Sequence, residues 1–236
     1  MAQDIDDRVR GMLLGGMIGD AAGGPVEFVA SDRWDHADVP FVAWAAGERL
    51  PQDLAEYGDG LELVTYDLFR PSPEGYAHWF ADAPAGTLTD DTRHKAVLID
   101  ALRTSAELGR EVTAADLALS YVEFVNTATA TGFGELADEG LGEYVLAARW
   151  VLGERDANTA LPPERMWGGL GTCAGQMALP PIAAVHPGDP EAAYVAAYEI
   201  AFIDNGAARD LNAAIVAGLA EALVIDEGTP WPTAWS

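Results

Sequence analysis

The apolar residues of this sequence recur mostly at helical spacing, and this periodicity limits the possible fold more than any other feature. After Asp91, for example, one such series consists of Ala96, Val97, Ile99, Leu102 and Ala106. Residues at this spacing lie on one face of a helix. Runs with the alternation typical of strands are few and short. We therefore predict an all-α fold, in which abundant alanine and glycine residues let helices approach closely.

The length and composition favour one domain. A chain of 236 residues with 50% hydrophobic content can bury a sizeable core. We predict a single domain over residues 1–236, with an irregular, aromatic-rich insert at about 30–85. A loop of that length is usually functional or partly structured. Its aromatic side chains either cover an edge of the core or stack on a planar ligand.

The net charge argues against several classes of partner. The chain has 38 acidic and 13 basic residues and a formal net charge of −25. Such a charge opposes binding to nucleic acid through phosphate neutralisation, and it opposes binding to an acidic membrane surface. A negatively charged small molecule requires local hydrogen-bond donors or a bound cation to offset the field of the whole chain.

Three features of the sequence indicate the compartment. Cys173 is the only cysteine, which rules out an internal disulfide framework and fits a reducing environment. No apolar run approaches the roughly 18 residues that a bilayer span needs. The first seven residues lack the basic start of a secretory signal. We therefore predict a cytoplasmic protein.

Two adjacent carboxylates, Asp90 and Asp91, stand at a predicted helix start between the hydroxyls of Thr89 and Thr92. One acidic residue is enough to cap a helix, because it accepts hydrogen bonds from unpaired N–H groups and complements the helix dipole. A second adds like-charge repulsion. A divalent cation relieves that repulsion, since Mg²⁺ prefers carboxylate and hydroxyl oxygens. The stretch is therefore either a helix cap or part of an ion site.

Further candidates lie at the end of the first predicted helix, at residues 6–22. A Gly-Gly-Pro turn at residues 23–25 should end this helix. Asp20 is most simply structural, because a buried aspartate beside a turn commonly accepts hydrogen bonds from backbone amides. Glu27 follows the turn, where a carboxylate can face a cavity and have an altered pKa.

A glycine-rich stretch at residues 167–177 is the next informative segment. Its glycines let the backbone approach a ligand closely or offer N–H groups to an anion, although the spacing of a phosphate-binding loop is missing. Cys173 would need an activating base to act as a nucleophile, and His186 is the only histidine nearby in sequence. The four histidines show no paired metal-ligand spacing, so a histidine-rich zinc site is unsupported.

Together these segments resemble the ADP-ribosylglycohydrolase family. The resemblance is carried by the Gly-Asp segment at residues 15–27, by Thr-Asp-Asp-Thr at residues 89–92 and by the late helix entering at Asp210. The glycine-rich stretch is similar to a further family segment. The resemblance runs from about residue 9 to residue 223, with the aromatic insert poorly covered.

The resemblance implies an orthogonal all-α helical bundle and hydrolysis of the bond at the anomeric carbon of an ADP-ribosyl group. The implied partner is an ADP-ribosylated protein or a small ADP-ribosyl or nucleotide substrate, and the net charge argues against nucleic acid and a membrane as partners. The implied cofactor is Mg²⁺ or Mn²⁺, as one or two ions.

The family's functional residues map onto particular positions of this chain. Thr89, Asp90, Asp91 and Asp210 would be the metal ligands. Glu27 would be the carboxylate beside the anomeric carbon that reacts, and Asp91 would be the second catalytic residue. The substrate's diphosphate or ribose would lie near a glycine-rich segment and a late arginine, that is, near Gly171, Thr172, Gly175 and Arg209.

The last motif departs from the family pattern. The family usually has Asp-x-Asp-Thr where this chain has Ala-Arg-Asp-Leu at residues 208–211, so one of three ligands remains. Asp210 can hold one ion, whereas a second ion needs a substitute, either Asp204 or Asn212. Arg209 either contributes a fixed positive charge or pairs with a phosphate.

Two hypotheses of different classes follow. The first is a metal-dependent hydrolase that cleaves a glycosidic bond to ribose, and it is favoured by the two intact motifs. The second is a catalytically silent relative that binds ADP-ribose or has a structural role, and it is favoured by the loss of ligands in the last motif.

Overall fold

The computed structural model describes residues 2–23, 88–130 and 134–225. The chain divides into two compact units, one of residues 14–89 and one of residues 1–13 together with 90–236. The described residues form helices, turns and loops, with no strand among them, which confirms the predicted all-α fold. That the chain forms a single domain stays a prediction, and the insert at about 30–85 lies outside the described residues.

The described helices mostly lie where the periodicity of the sequence predicted helices, but the predicted apolar face of the helix after Asp91 is wrong in part, because Ala96, Ile99 and Ala106 are exposed while Val97 is buried. In chain order the helices are α1 (Ala2–Gly23), α2 (Asp90–Glu107), α3 (Ala114–Ala130), α4 (Gly134–Val151), α5 (Ala174–Ala178), α6 (Pro181–Val185), α7 (Pro190–Ile200) and α8 (Ala207–Ala222). A 3₁₀ segment, Pro163–Gly169, precedes α5. Helix α5 lies where the sequence predicted only a glycine-rich loop. None of the described helices combines the length and the apolar character that crossing a membrane requires.

Helices α2–α8 share one hydrophobic core in the larger unit. The most extensive contacts join α3 to α4 and α7 to α8. The largest side chains at its centre are fully buried, and they include Leu98, Leu117, Tyr121, Leu141, Ile182 and Ile200. Several alanines are fully buried between helices, among them Ala147, Ala148, Ala193, Ala197 and Ala213. Small residues therefore allow the close helix contacts that the composition predicted.

Capping hydrogen bonds define where two of the helices begin. The N–H of Asp116 donates to the hydroxyl of Thr113 at 3.3 Å, and the N–H of Thr113 donates to Asp116 Oδ2 at 2.9 Å, which is a reciprocal capping arrangement. Arg110 donates to both carboxylate oxygens of Asp116 at 2.6 Å and holds the pKa of that carboxyl well below its usual range. At the start of α7, Asp189 accepts a hydrogen bond from the N–H of Ala192 at 3.0 Å.

A matched pair of leucines on α3 tests the position of the core. Leu117 is fully buried, whereas Leu119 is 46% exposed. We expect Leu117→Ala to lower the free energy of unfolding by about 2–5 kcal/mol, because it removes buried methyl groups and leaves a cavity. Leu119→Ala should change it by less than about 0.5 kcal/mol. Urea unfolding followed by circular dichroism measures both, and equal effects of the two changes would contradict this packing.

Candidate functional site

The first two residues of α2 place a pair of carboxylates at its N-terminus. Asp90 is buried and Asp91 is half-buried. The positive end of the helix dipole at this position favours negative charge. The structure therefore confirms the predicted helix start at Asp90. The role of the two carboxylates as metal ligands stays a prediction.

A further buried carboxylate, Asp204, lies in the turn before α8. Its Oδ1 accepts a hydrogen bond from the Thr172 hydroxyl at 3.3 Å, and its Oδ2 accepts one from Asn212 Nδ2 at 2.8 Å. The backbone N–H of Gly175 also donates to this carboxylate. Burial raises the pKa of Asp204, while the bonds from Asn212, Gly175 and Thr172 oppose that shift.

The glycines of the predicted substrate-binding stretch pack closely against this part of the chain. A Cβ at Gly175 would overlap Asp204 Oδ2 and lie 2.7 Å from the Cβ of Asn212. A Cβ at Gly171 would lie 2.8 Å from the Cβ of Ala208. Both positions therefore exclude side chains for reasons of packing within the chain. That Gly171, Thr172 and Gly175 contact substrate stays a prediction.

Asp90, Asp91 and Asp204 all act electrostatically on the Cys173 thiol. Burial raises the pKa of the Cys173 thiol, and the negative charges of all three aspartates raise it further. Helix α5, which follows Cys173, packs against both α2 and α8, and the three carboxylates lie at or shortly before the starts of these two helices. The resulting negative potential favours a cation and disfavours a Cys173 thiolate, which argues against this cysteine as a nucleophile.

The negative charges of Asp90 and Asp204 also act on two tyrosines. Burial raises the pKa of Tyr144 to about 12 and that of Tyr121 well above its usual value, and Asp90 and Asp204 add to both shifts. The side chains of Trp167 and Thr172 oppose this shift at Tyr144 by lowering its pKa. Both tyrosines are therefore neutral hydrogen-bonding groups beside the carboxylates.

His94 lies between these tyrosines. Its Nδ1 is 2.6 Å from the Tyr121 hydroxyl, and its ring meets that of Tyr144 edge-on with centroids 4.7 Å apart. Burial lowers the pKa of His94 from 6.5 to about 3, and the positive charges of Lys95 and Arg93 act in the same direction. The imidazole is therefore neutral. Its Nε2 has no hydrogen-bond partner among the described residues.

In the last motif, Arg209 and Asp210 form hydrogen bonds with α7 at the protein surface. The exposed Asp210 accepts a hydrogen bond at Oδ1 from the Tyr194 hydroxyl at 2.9 Å. Arg209 donates to the backbone carbonyls of Tyr198 at 2.6 Å and Glu199 at 3.1 Å, and its guanidinium lies 4.5 Å from the centroid of the Tyr198 ring. Both side chains thus bind α7. Their predicted roles, metal ligand for Asp210 and substrate contact for Arg209, stay predictions.

The carboxylates at the start of α2 have the donor chemistry of a hard divalent ion, and the number of ions, one or two, stays a prediction. Among the described residues, no group of three or more His, Cys, Asp or Glu side chains is arranged to hold a metal ion. Ala208 and Leu211 offer no side-chain oxygen for a second ion. A single Mg²⁺ does not require an all-protein cage, because it commonly binds one or two carboxylates and keeps several waters. The adjacent Asp90 and Asp91 supply that donor chemistry.

In the smaller unit, Asp20 and Thr89 are joined by hydrogen bonds. Asp20 Oδ1 accepts from the Thr89 N–H at 2.9 Å and from the Thr89 hydroxyl at 2.5 Å. A buried aspartate that binds a backbone amide is the structural role that we predicted for Asp20. That Thr89 is a metal ligand stays a prediction, and Glu27 lies outside the described residues.

Comparison with known proteins identifies one family. The family model described as ADP-ribosylglycohydrolase matches residues 1–236, which is the whole chain. No curated protein and no solved structure matches the chain significantly. The family match therefore covers all the segments on which the resemblance was based.

Replacing Gly175 tests the packing around Asp204. We expect Gly175→Ala to lower the free energy of unfolding by about 1–3 kcal/mol, since the added methyl group displaces Asp204 or Asn212. Gly11→Ala is the matched control, because a Cβ at this helical position meets nothing within 4 Å. It should stabilise the protein by up to about 1 kcal/mol. Thermal unfolding of both variants measures the difference, and a neutral Gly175→Ala would contradict the described contacts.

The low pKa of His94 makes stability depend on pH. In the unfolded chain His94 binds a proton below about pH 6.5, whereas in the folded protein it stays neutral down to about pH 3. Its contribution to stability is therefore complete above pH 6.5 and decreases as the pH falls towards 3. We expect the stability difference between wild type and His94→Gln to shrink by about 1.4 kcal/mol per pH unit over this window. Urea unfolding at pH 7.0 and pH 4.5 measures it, and a constant difference would contradict a buried neutral imidazole.

Proposed function

The chain belongs to the ADP-ribosylglycohydrolase family, and on this premise we propose that it is a hydrolase cleaving a glycosidic bond to the ribose of an ADP-ribosyl or related nucleotide substrate. Family membership supports glycohydrolase activity on ADP-ribosyl substrates. The observation that carries the proposal for this chain is the buried Asp90 at the start of α2, whose charge acts on the Cys173 thiol together with those of Asp91 and Asp204.

The proposed reaction transfers the anomeric carbon of ribose from its leaving group to water. Positive charge builds at this carbon as the glycosidic bond breaks, and nearby carboxylates such as Asp91 stabilise it. Glu27 accepts the proton of the attacking water or orients that water. The leaving nitrogen or oxygen keeps the bonding electrons and takes up a proton.

In this proposal Thr89, Asp90 and Asp91 hold one Mg²⁺ or Mn²⁺ ion, as the resemblance implies. When bound, such an ion neutralises the carboxylates and orients ribose hydroxyls or a water molecule. Near α8 there are two candidate ligands. Burial and a shared electrostatic neighbourhood support Asp204, whereas the Oδ1 of Asp210 is bound to Tyr194 at the surface.

The substrate's polar groups are proposed to lie near the turn between the 3₁₀ segment and α5. Gly171, Thr172 and Gly175 border the Asp204 region, and Thr172 offers a hydroxyl there. An anionic diphosphate in this negative potential needs compensating charge. The bound cation supplies part of it, and Arg209 supplies more if it leaves the Tyr198 ring.

A catalytically silent relative is the second candidate. It is favoured by the residues Ala208 and Leu211 in the last motif, which cannot bind a metal, and by the absence of a three-residue metal-binding group from the described ranges. Such a protein would bind ADP-ribose without turnover. Because it has no turnover, Glu27→Gln would change only its binding of ADP-ribose.

Substitution of the proposed carboxylates tests the enzyme hypothesis. We expect Asp91→Ala and Glu27→Gln each to lower kcat by about 10²–10⁴-fold, the range typical for loss of a catalytic acid–base group. Asp100→Asn is the matched control on α2, because Asp100 forms a surface ion pair with Arg103. It should leave kcat unchanged. Release of ADP-ribose or ribose from a panel of ADP-ribosyl and NAD-like compounds, with Mg²⁺ present, is the measurement.

Unchanged turnover in both Asp91→Ala and Glu27→Gln would contradict the assignment of these residues. Removing divalent ions with a chelator should abolish turnover, and adding Mg²⁺ or Mn²⁺ should restore it. Calorimetric binding of ADP-ribose with no product from any compound of the panel would instead support the silent relative.

A further inference from the structure

A cavity of about 660 Å³ lies in the larger unit, bordered by α2, α6, α7 and the turn at residues 109–112. Its size falls within the range of small-molecule sites. None of its lining residues belongs to the Asp90 and Asp204 region, and it borders the C-terminal half of α2 rather than the N-terminus. The cavity is therefore separate from the proposed catalytic site.

The walls of this cavity are mainly apolar. Ile99, Leu102 and Ala106 follow one another at helical spacing and form a second apolar face of α2, distinct from the buried face that carries His94 and Leu98. Ile182 from α6 is fully buried, but Val185 and Ile99 remain 52% and 41% exposed. Exposed aliphatic side chains collected in a hollow indicate a binding surface, because water contacts them at a free-energy cost.

The charges around the cavity are not balanced. Arg103 is already bound to Asp100 at 2.7 Å and to Glu107 at 2.8 Å. Arg110 is bound through two nitrogens to Asp116. The two lining carboxylates, Glu111 and Glu199, form no ion pair within the described ranges, and the remaining polar lining group is the imidazole of His186.

We propose that this cavity binds a small organic cation, an ammonium group attached to an apolar body. The apolar body covers Ile99, Leu102 and Val185. The ammonium group lies at the rim, where the carboxylates of Glu199 and Glu111 attract it. An anion of the same shape is disfavoured, because both arginines at the rim are neutralised by their own carboxylates.

The test uses the full-length protein and four small probes. 2-Phenylethylamine, 2-phenylethanol and 3-phenylpropionate present a similar apolar body with a positive, neutral or negative head, and ethanolamine presents the cation without that body. Binding is measured by ligand-observed NMR titration at 0.15 M salt, so that weak attraction to the overall negative charge is screened. We expect the phenyl amine to bind at least tenfold more tightly than each of the other three.

Substitutions at the cavity connect binding to this site. Glu199→Gln should weaken binding of the phenyl amine about 2–5-fold, the range for an exposed ion pair. Glu191→Gln, on the same helix but outside the lining, should leave it unchanged. Ala106→Trp fills the cavity from an exposed position and should abolish binding, and its circular dichroism spectrum and melting temperature verify that the variant is folded.

Three results would overturn the proposal: no binding of the phenyl amine, equal or tighter binding of the phenyl acid, or equal effects of Glu199→Gln and Glu191→Gln. The readout is binding alone and does not depend on hydrolytic activity. A negative result in the hydrolase assays would therefore not contradict the cation site, and a negative result in the binding assays would not contradict the hydrolase function.

Discussion

Burial of negative charge in the larger unit is the constraint on which the rest of the candidate site depends. Moving an isolated carboxylate out of water costs several kcal/mol unless hydrogen bonds or opposite charges compensate. Asp204 meets that cost with the donors of Thr172, Gly175 and Asn212. The glycine at position 175 follows from this arrangement, because any side chain there would occupy the place of the carboxylate. Helix α8, the turn before α5 and the start of α2 therefore all lie near buried negative charge whose burial must be compensated.

Local sequence signals predicted the elements that depend on neighbouring residues. The start of α2 at Asp90 follows from a few adjacent side chains, and the structure contains it. The buried Asp20 binds a backbone amide as predicted, but that amide belongs to Thr89, 69 residues along the chain, which local signals cannot identify. The group of His94, Tyr121 and Tyr144 was not predicted, since its members lie on three different helices and each fits a core position by spacing alone. Only the packing of those helices brings them together.

The last motif illustrates the same limit. The sequence indicated that Asp210 was the surviving carboxylate and that Asp204 or Asn212 was a possible substitute, but periodicity could not rank them. In the structure, Arg209 and Asp210 contact α7 at the surface, whereas Asp204 and Asn212 are buried and bonded to each other. Arg209 and Asp210 therefore contribute to the packing of α8 on α7. We propose that Asp204, bonded to Asn212, supplies the negative charge near the site that the sequence assigned to Asp210.

The central proposal is that the carboxylates at the start of α2 form a site for a single divalent cation. Manganese titration followed by electron paramagnetic resonance, at 0.15 M salt, counts bound ions directly. The account predicts one ion per chain in the wild type and none in Asp90→Asn at the same free Mn²⁺ concentration. Two ions per chain, or binding that is unchanged in Asp90→Asn, would contradict it.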